Sequence, residues 1–214
     1  MEDPKRTVAH GYDRIGEAYA AGALAASGGD RARYLGLVGE RLADGATVLD
    51  LGCGVGIPVA RDLAARFDVT GVDISARNVA LARRNVPAAR FVHADMAALD
   101  LAPAAFDAVV AFYSIIHLPR AEHPIVLSKV ARWLRPGGLF VASLGARDLA
   151  AGTEDDWLGV PMYWSHFDAE RNRRLIEEAG LAIERAEETS DGDERFLWVV
   201  ARLRGTAGGT VAGD

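Results

Sequence analysis

Three glycines within five positions, Gly52, Gly54 and Gly56, follow an apolar run directly in "VLDLGCGVGIPVA" (48–60). Backbone of this kind bends tightly and lets another group approach closely. Such a turn holds a dinucleotide, a nucleotide phosphate, S-adenosylmethionine (SAM), or no ligand at all. The dinucleotide fingerprint needs glycines at relative positions one, three and six. Gly52 and Gly54 fit it, but position six is Ile57 and Gly56 falls one place early. Two carboxylates extend the pattern. Asp73 stands 21 residues after Gly52, at the end of "GVDIS", where it can accept hydrogen bonds from both ribose hydroxyls. Asp95 stands in "FVHADM". A lone aspartate at a strand end is usually a solvated cap, but two on consecutive strands after a glycine turn point to one crevice.

The elements that must position these groups alternate along the chain. "ATVLDLG" reads as strand one, and "IPVARDLAARF" as a helix with Pro58 near its first turn. "DVTGVDIS", "RFVHADM" and "FDAVVAFYS" are the next strands, with "ARNVALARRN" a helix between the first two. Val126, Val130 and Trp133 mark a helix face that stops at "RPGG", before strand "GGLFVASLG". "DAERNRRLIEEAG" is the last helix. "LAIERAEE" mixes apolar and charged residues as an edge strand does, whereas "RFLWVVARL" is apolar on both faces. The final strand is therefore expected beside strand five, with its predecessor at the edge. The predicted fold is α/β: a Rossmann-like, doubly wound, seven-stranded sheet, mostly parallel with an antiparallel final strand, and helices on both faces. Ligands of such sheets sit beyond the carboxyl ends of the strands, where the glycine turn, Asp73 and Asp95 converge.

The chain has 214 residues, which fits one domain. No repeat or linker stands out, and residues 1–204 are read as a single domain with N-terminal lid helices over about 8–43. The glycine-rich tail 205–214 is expected to be flexible, and the first half-dozen residues to resemble it. No apolar stretch reaches the length of a membrane span, and "MEDPKRTVAHGYDRIG" lacks the apolar core of a secretion signal. Cys53 is the sole cysteine, which suits a reducing, cytoplasmic setting. A net charge of −6 argues against a broad nucleic-acid-binding surface. A monomer or homodimer, with no membrane or nucleic-acid partner, is expected.

Together, "VLDLGCGVG", "GVDIS", "HADM", "FDAVVAFYSIIHL" and "LRPGG" resemble, in order and spacing, the motifs of the class I SAM-dependent methyltransferases of the small-molecule type. The likeness spans roughly residues 8–203. It implies SAM as cofactor. It would place Gly52, Cys53 and Gly54 beneath the methionine portion, with Asp50 supporting the amino group. Asp73 would bind the ribose, Ile74 would pack on the adenine, Asp95 would accept from the adenine amino group, and the Met96 backbone would address the ring. Phe112 or Tyr113 would offer a carbonyl to the methionine ammonium. "YDRIGEAYA" resembles a stretch that closes over SAM, making Tyr12 and Tyr19 lid residues. Gly16 departs from the family, where alanine is common.

Methyl transfer from a sulfonium is an in-line displacement, so the protein mainly supplies orientation, which contributes about 7–11 kcal/mol in favourable cases. A base is required only where the acceptor must lose a proton. Phe112-Tyr113-Ser114-Ile115 stands where amide- and adenine-methylating relatives carry Asn/Asp-Pro-Pro-Tyr. Cys53 belongs to the glycine turn and reads as a packing residue rather than a nucleophile. His10, His93, His117, His123 and His166 form no metal-ligand spacing, and no metal is expected. The stretch "ARDLAAGTEDDWLGVPMYWSHF" reads as a long loop carrying Trp157, Met162, Tyr163, Trp164, His166 and Phe167. Either it packs its aromatics over the sheet, or it forms a lid in which Trp157, Met162, Tyr163 and Trp164 line a substrate pocket. "EDDW" within it reads as a solvated acidic face. His117 and His166 are the candidate bases, though each can equally serve structure. The resemblance implies methylation of a small apolar or aromatic metabolite. The alternative is a SAM-binding protein that catalyses a different reaction or serves as a binding module.

Overall fold

The central strands carry apolar residues on alternate faces, and this builds two core layers in a computed structural model describing residues 3–25, 29–192 and 194–205. The elements are α1 (Pro4–Ala25), α2 (Gly29–Arg41), β1 (Thr47–Leu51), α3 (Val59–Ala64), β2 (Asp68–Asp73), α4 (Ala76–Asn85) and β3 (Arg90–His93). β4 (Phe106–Ala111), α5 (His123–Trp133), β5 (Leu134–Gly145), β6 (Leu149–Trp157), β7 (Val160–His166), α6 (Ala169–Glu178), β8 (Leu181–Asp191) and β9 (Glu194–Leu203) follow. Leu49 and Leu51 of β1 face the layer packed by α5 and α6, with Trp133, Leu175 and Ile176. Val48 faces the other way, toward Tyr34 and Val38 of α2, Leu63 of α3 and Val79 of α4. Burial on both faces is what a parallel sheet flanked by helices demands.

The seven strands run in the order β3-β2-β1-β4-β5-β9-β8. β1 pairs in parallel with β2 and β4, β2 with β3, and β4 with β5. β9 lies antiparallel between β5 and β8, with Trp198 to Ala201 fully buried. The inserted final strand read from its apolar character is therefore present. Order reverses between β1 and β4, so the carboxyl ends of β1, β2, β3 and β4 open onto one crevice.

Two expectations are corrected. The stretch read as a long loop is the antiparallel hairpin β6–β7, a separate two-stranded sheet. Its two-residue turn, Leu158-Gly159, has positive φ at both positions (52° and 84°), as right-twisted hairpins favour. Nor are residues 4–6 irregular. The first helix begins at Pro4, and the Lys5 ammonium reaches across to Asp95 at 2.6 Å. Residues 1–2 and 206–214, the last covering most of the expected tail, lie outside the described residues.

α1 lies against α4 and the hairpin. Val8 and Ile15 pack with Val160, Met162 and Tyr163. A Cβ at Gly16 would overlap the Asn78 carboxamide of α4, so the glycine that departs from the family pattern permits close helix approach. Asp13 completes the junction by accepting from the Ser75 hydroxyl at 2.6 Å.

Candidate functional site

The turn after β1 is built from backbone demands. Gly52 (φ 78°) and Gly54 (φ 54°) adopt left-handed conformations, and the Gly52 N–H donates to the Val72 carbonyl at 2.8 Å. A Cβ at Gly52 would collide with the Ser114 side chain. At Gly54 a Cβ would meet nothing within 4 Å, because that side of the turn opens into the crevice. Cys53 is buried beside this turn, and burial pushes its thiol well above the usual range.

All twelve residues expected to hold the cofactor line this single crevice, which spans about 980 Å³ including its open mouth. Tyr12 and Tyr19 come from α1. Asp50, Gly52, Cys53 and Gly54 come from β1 and its turn, Asp73 and Ile74 from the end of β2. Asp95 and Met96 follow β3, and Phe112 and Tyr113 follow β4. Tyr113 is itself strained (φ 55°) and is held by its N–H donating to the Ser143 hydroxyl at 2.7 Å.

Electrostatics distinguish the carboxylates. Asp50 is buried with Oδ2 lacking any hydrogen-bond partner. Burial, and then the neighbouring Asp73 charge, push its pKa up to about 7. Burial also raises Asp73, against the pull of backbone donors: its Oδ1 accepts from Ser75 N–H at 2.9 Å and its Oδ2 from Gly54 N–H at 2.8 Å. An anion held this far from water requires a cation beside it. Arg31 of α2, which the sequence reading missed, lines the crevice and lowers Asp50 in part. Its guanidinium lies 4.9 Å over the Tyr113 ring, with no carboxylate at ion-pair distance among the described residues. Nothing in "GDRARYLGLVGER" singles this arginine out from its charged neighbours.

A second cavity of about 1250 Å³ adjoins the first and shares Tyr12, Tyr19, Arg31, Tyr113 and His117 with it. Trp157 and Trp164, perpendicular with centroids 5.4 Å apart, form its hairpin wall. Met162 and Tyr163, expected in the same wall, instead belong to the buried cluster beneath α1. Met162 lies two residues from Trp164 on the strand, where the facing element is α1 rather than the cavity. Glu154, read as part of a solvated acidic face, is exposed but lines the cavity rim.

The two candidate bases differ. His117 is buried, which drives its pKa down to about 4. Its Nδ1–H donates to the Tyr163 carbonyl at 2.9 Å, leaving Nε2 to accept from the Tyr12 hydroxyl at 2.9 Å. Both nitrogens are occupied, and His117 ties α1 to the hairpin. His166 lines the second cavity; its Nδ1–H donates to the Arg147 carbonyl at 2.6 Å, so Nε2 is the acceptor. Its ring sits so close to Gly145 that a Cβ there would overlap it. Among the described residues no three His, Cys, Asp or Glu side chains gather at metal-binding spacing. No helix among them is long and apolar enough to cross a membrane.

Fold and crevice together define a Rossmann-like SAM-binding class. Comparison agrees: residues 48–138 match the family model described as "Methyltransferase domain". The chain is 34% identical over 204 residues to the arsenite methyltransferase of Aquipseudomonas alcaligenes, covering 80% of this chain and 58% of that one. It is 35% identical over 182 residues to the 27-O-demethylrifamycin SV methyltransferase of Amycolatopsis mediterranei, covering 74% and 61%. The chain thus spans little more than half the length of these curated relatives. Among solved structures, a SAM-dependent methyltransferase of Methanosarcina mazei superposes with a TM-score of 0.70 at 18% identity, covering 79% of this chain and 98% of that one. The [4+2]-cyclase SpnF gives 0.67 at 22% identity, covering 81% of each chain. Residues 48–138 thus match a methyltransferase domain, and the chain is similar to class I SAM-dependent methyltransferases, which use SAM as cofactor.

Proposed function

We propose that this chain transfers the methyl group of SAM to a small aromatic or apolar acceptor held in the second cavity. The observation that carries this reading is the shared wall. A crevice with an orphaned buried carboxylate at Asp50 opens directly beside an aromatic chamber through Tyr12, Tyr19, Tyr113 and His117. SAM fits the crevice: its methionine ammonium supplies the cation that Asp50 lacks, and Arg31 is placed for its carboxylate. Asp73 retains lone pairs for the ribose hydroxyls, and Ile74, Asp95 and Met96 form the adenine end.

Bound SAM supplies a sulfonium methyl already activated for displacement. The residues of this chain contribute orientation and dryness. Trp157, Trp164 and Tyr113 stack the acceptor against the shared wall. Where the acceptor must lose a proton, His166 Nε2 takes it, since His117 has no free nitrogen. Soft thiolates are what hold a trivalent arsenic acceptor. The single buried cysteine of this chain provides no such set, so the acceptor proposed here is not a trivalent arsenic species. A reducing, cytoplasmic setting belongs to the same reading and rests on that lone thiol.

The test is incubation of purified protein with methyl-labelled SAM and fractionated small-molecule extracts. Label transferred to an aromatic product supports the proposal. Tight SAM binding with no transfer to any fraction favours the alternative, a SAM-fold protein performing other chemistry or serving as a binding module.

A further inference from the structure

At the crevice end formed by Ile74, Ala94, Asp95 and Met96, one cation enters from the opposite wall. Lys5, in the first turn of α1, places Nζ 2.6 Å from Asp95 Oδ2 and 3.0 and 3.1 Å from the two carboxylate oxygens of Glu122. Burial disfavours the ammonium, but its hydrogen bonds to Asp95 and Glu122 outweigh that and raise its pKa. An ammonium carries three N–H donors. One serves Asp95, one is shared by the Glu122 oxygens, and the third has no partner among the described residues, while Lys5 itself lines the crevice. Asp95 is similarly half-committed: Oδ1 accepts from Ala97 N–H at 2.8 Å, and each oxygen keeps a second lone pair. A donor and an acceptor therefore stand side by side, held rigidly by Glu122 and the Asp95 turn. Adenine presents the complementary pair, an exocyclic amino group flanked by ring nitrogens.

We propose that Lys5 is a cofactor-selecting residue that donates to an adenine ring nitrogen while Asp95 accepts the neighbouring amino group. This rests on the reading that Asp95 marks the adenine end of the crevice. Glu122 acts through Lys5 as a positioning residue, fixing the ammonium so that its free N–H is aimed before the cofactor arrives. A purine with that ring nitrogen replaced by C–H loses the Lys5 contact.

Calorimetric titration with S-adenosylhomocysteine and its 1-deaza, 3-deaza and 7-deaza adenine analogues tests this without any acceptor. Lys5→Met should weaken S-adenosylhomocysteine about tenfold or more, the scale of a lost charged hydrogen bond. One deaza analogue should bind wild type correspondingly worse, yet bind Lys5→Met as well as the parent ligand does. Lys5→Gln, which keeps an N–H donor, should recover part of the affinity and of the discrimination. Equal weakening of all four ligands in Lys5→Met would overturn the proposal and leave Lys5 as a structural tie for α1. Unchanged affinity would also overturn it. Asp95→Ala, which removes the acceptor, separates the underlying reading: if it leaves S-adenosylhomocysteine binding intact, the adenine end is misplaced and both claims fall. If Asp95→Ala weakens binding while Lys5→Met does not, only the role of Lys5 falls.

Discussion

Replacing Asp50 by asparagine isolates the charge at the centre of the crevice, because asparagine copies the shape of the neutral acid. The folded protein holds the Asp50 proton up to about pH 7, whereas the ordinary carboxyl releases it near 3.8. Between those values the native state binds a proton that the unfolded chain has lost, so stability falls as pH rises. Roughly three units at about 1.4 kcal/mol each give about 4 kcal/mol, absent below pH 4 and fully expressed above pH 7. Without ligand, Asp50→Asn should therefore match wild type near pH 4 and exceed it by up to about 4 kcal/mol at pH 8. His117 and His123, whose pKa values burial pushes down to about 4, have the opposite dependence and lose stability in acid. They are common to both proteins and cancel in the difference. Urea denaturation of the two proteins across pH 4–8 gives this directly. The same charge should be required for the cofactor. Wild-type affinity for SAM should climb toward pH 7 and then level off, whereas the variant should bind weakly with a flat profile. A stability difference independent of pH, or a variant less stable at pH 8, would refute the reasoning.

The remaining expectations concern separate walls of the site. Asp73→Ala should lower SAM affinity at least tenfold by calorimetry while the fold survives, and unchanged affinity would put the ribose elsewhere. Arg31→Met should weaken S-adenosylhomocysteine about tenfold but leave methylthioadenosine, which lacks the carboxylate, unaffected; equal loss of both removes Arg31 from that role. Trp164→Ala should raise the acceptor KM with little change in SAM affinity, whereas Met162→Ala should cost about 2–5 kcal/mol of stability and spare the acceptor. His166→Gln should reduce kcat about 10²–10⁴-fold for an acceptor that must be deprotonated. A larger kcat loss in His117→Gln would reverse the assignment of the base.

The sheet was legible because its signals are strong and local. "VLDLG" has to be a strand for Gly52 to turn, and the apolar "FLWVVA" tolerates no solvated face. The residues ending β1, β2, β3 and β4 then share a crevice by topology alone. The hairpin was hidden for a physical reason. β6 carries Glu154, Asp155 and Asp156 in succession, all exposed, so no alternation marks it as a strand. Its turn is Leu158-Gly159 rather than the Asn-Gly or Asp-Gly that announces a hairpin. Reading the segment as a loop put Met162 and Tyr163 in the pocket, although only pairing against β6 and packing under α1 decide which side chains face it. Lys5 and Arg31 were illegible for another reason. Each comes from a helix far from the motifs in sequence, and only tertiary packing brings a surface-looking cation to Asp95 or Asp50.

Helix α1 presents Lys5, Val8, Tyr12, Gly16, Tyr19 and Ala20 to the crevice as one stripe, and is fastened at Asp95, Ser75 and His117. The second cavity shares Tyr12 and Tyr19 of that helix but is walled on its other sides by the hairpin and the start of β9. Under the proposed function these unequal walls set an order of binding: the adenosyl cofactor is expected to enter before α1 settles over it, and the acceptor to follow past the hairpin. Kinetics should accordingly be ordered, with SAM first on and S-adenosylhomocysteine last off. Product inhibition by S-adenosylhomocysteine should be competitive against SAM and noncompetitive against the acceptor.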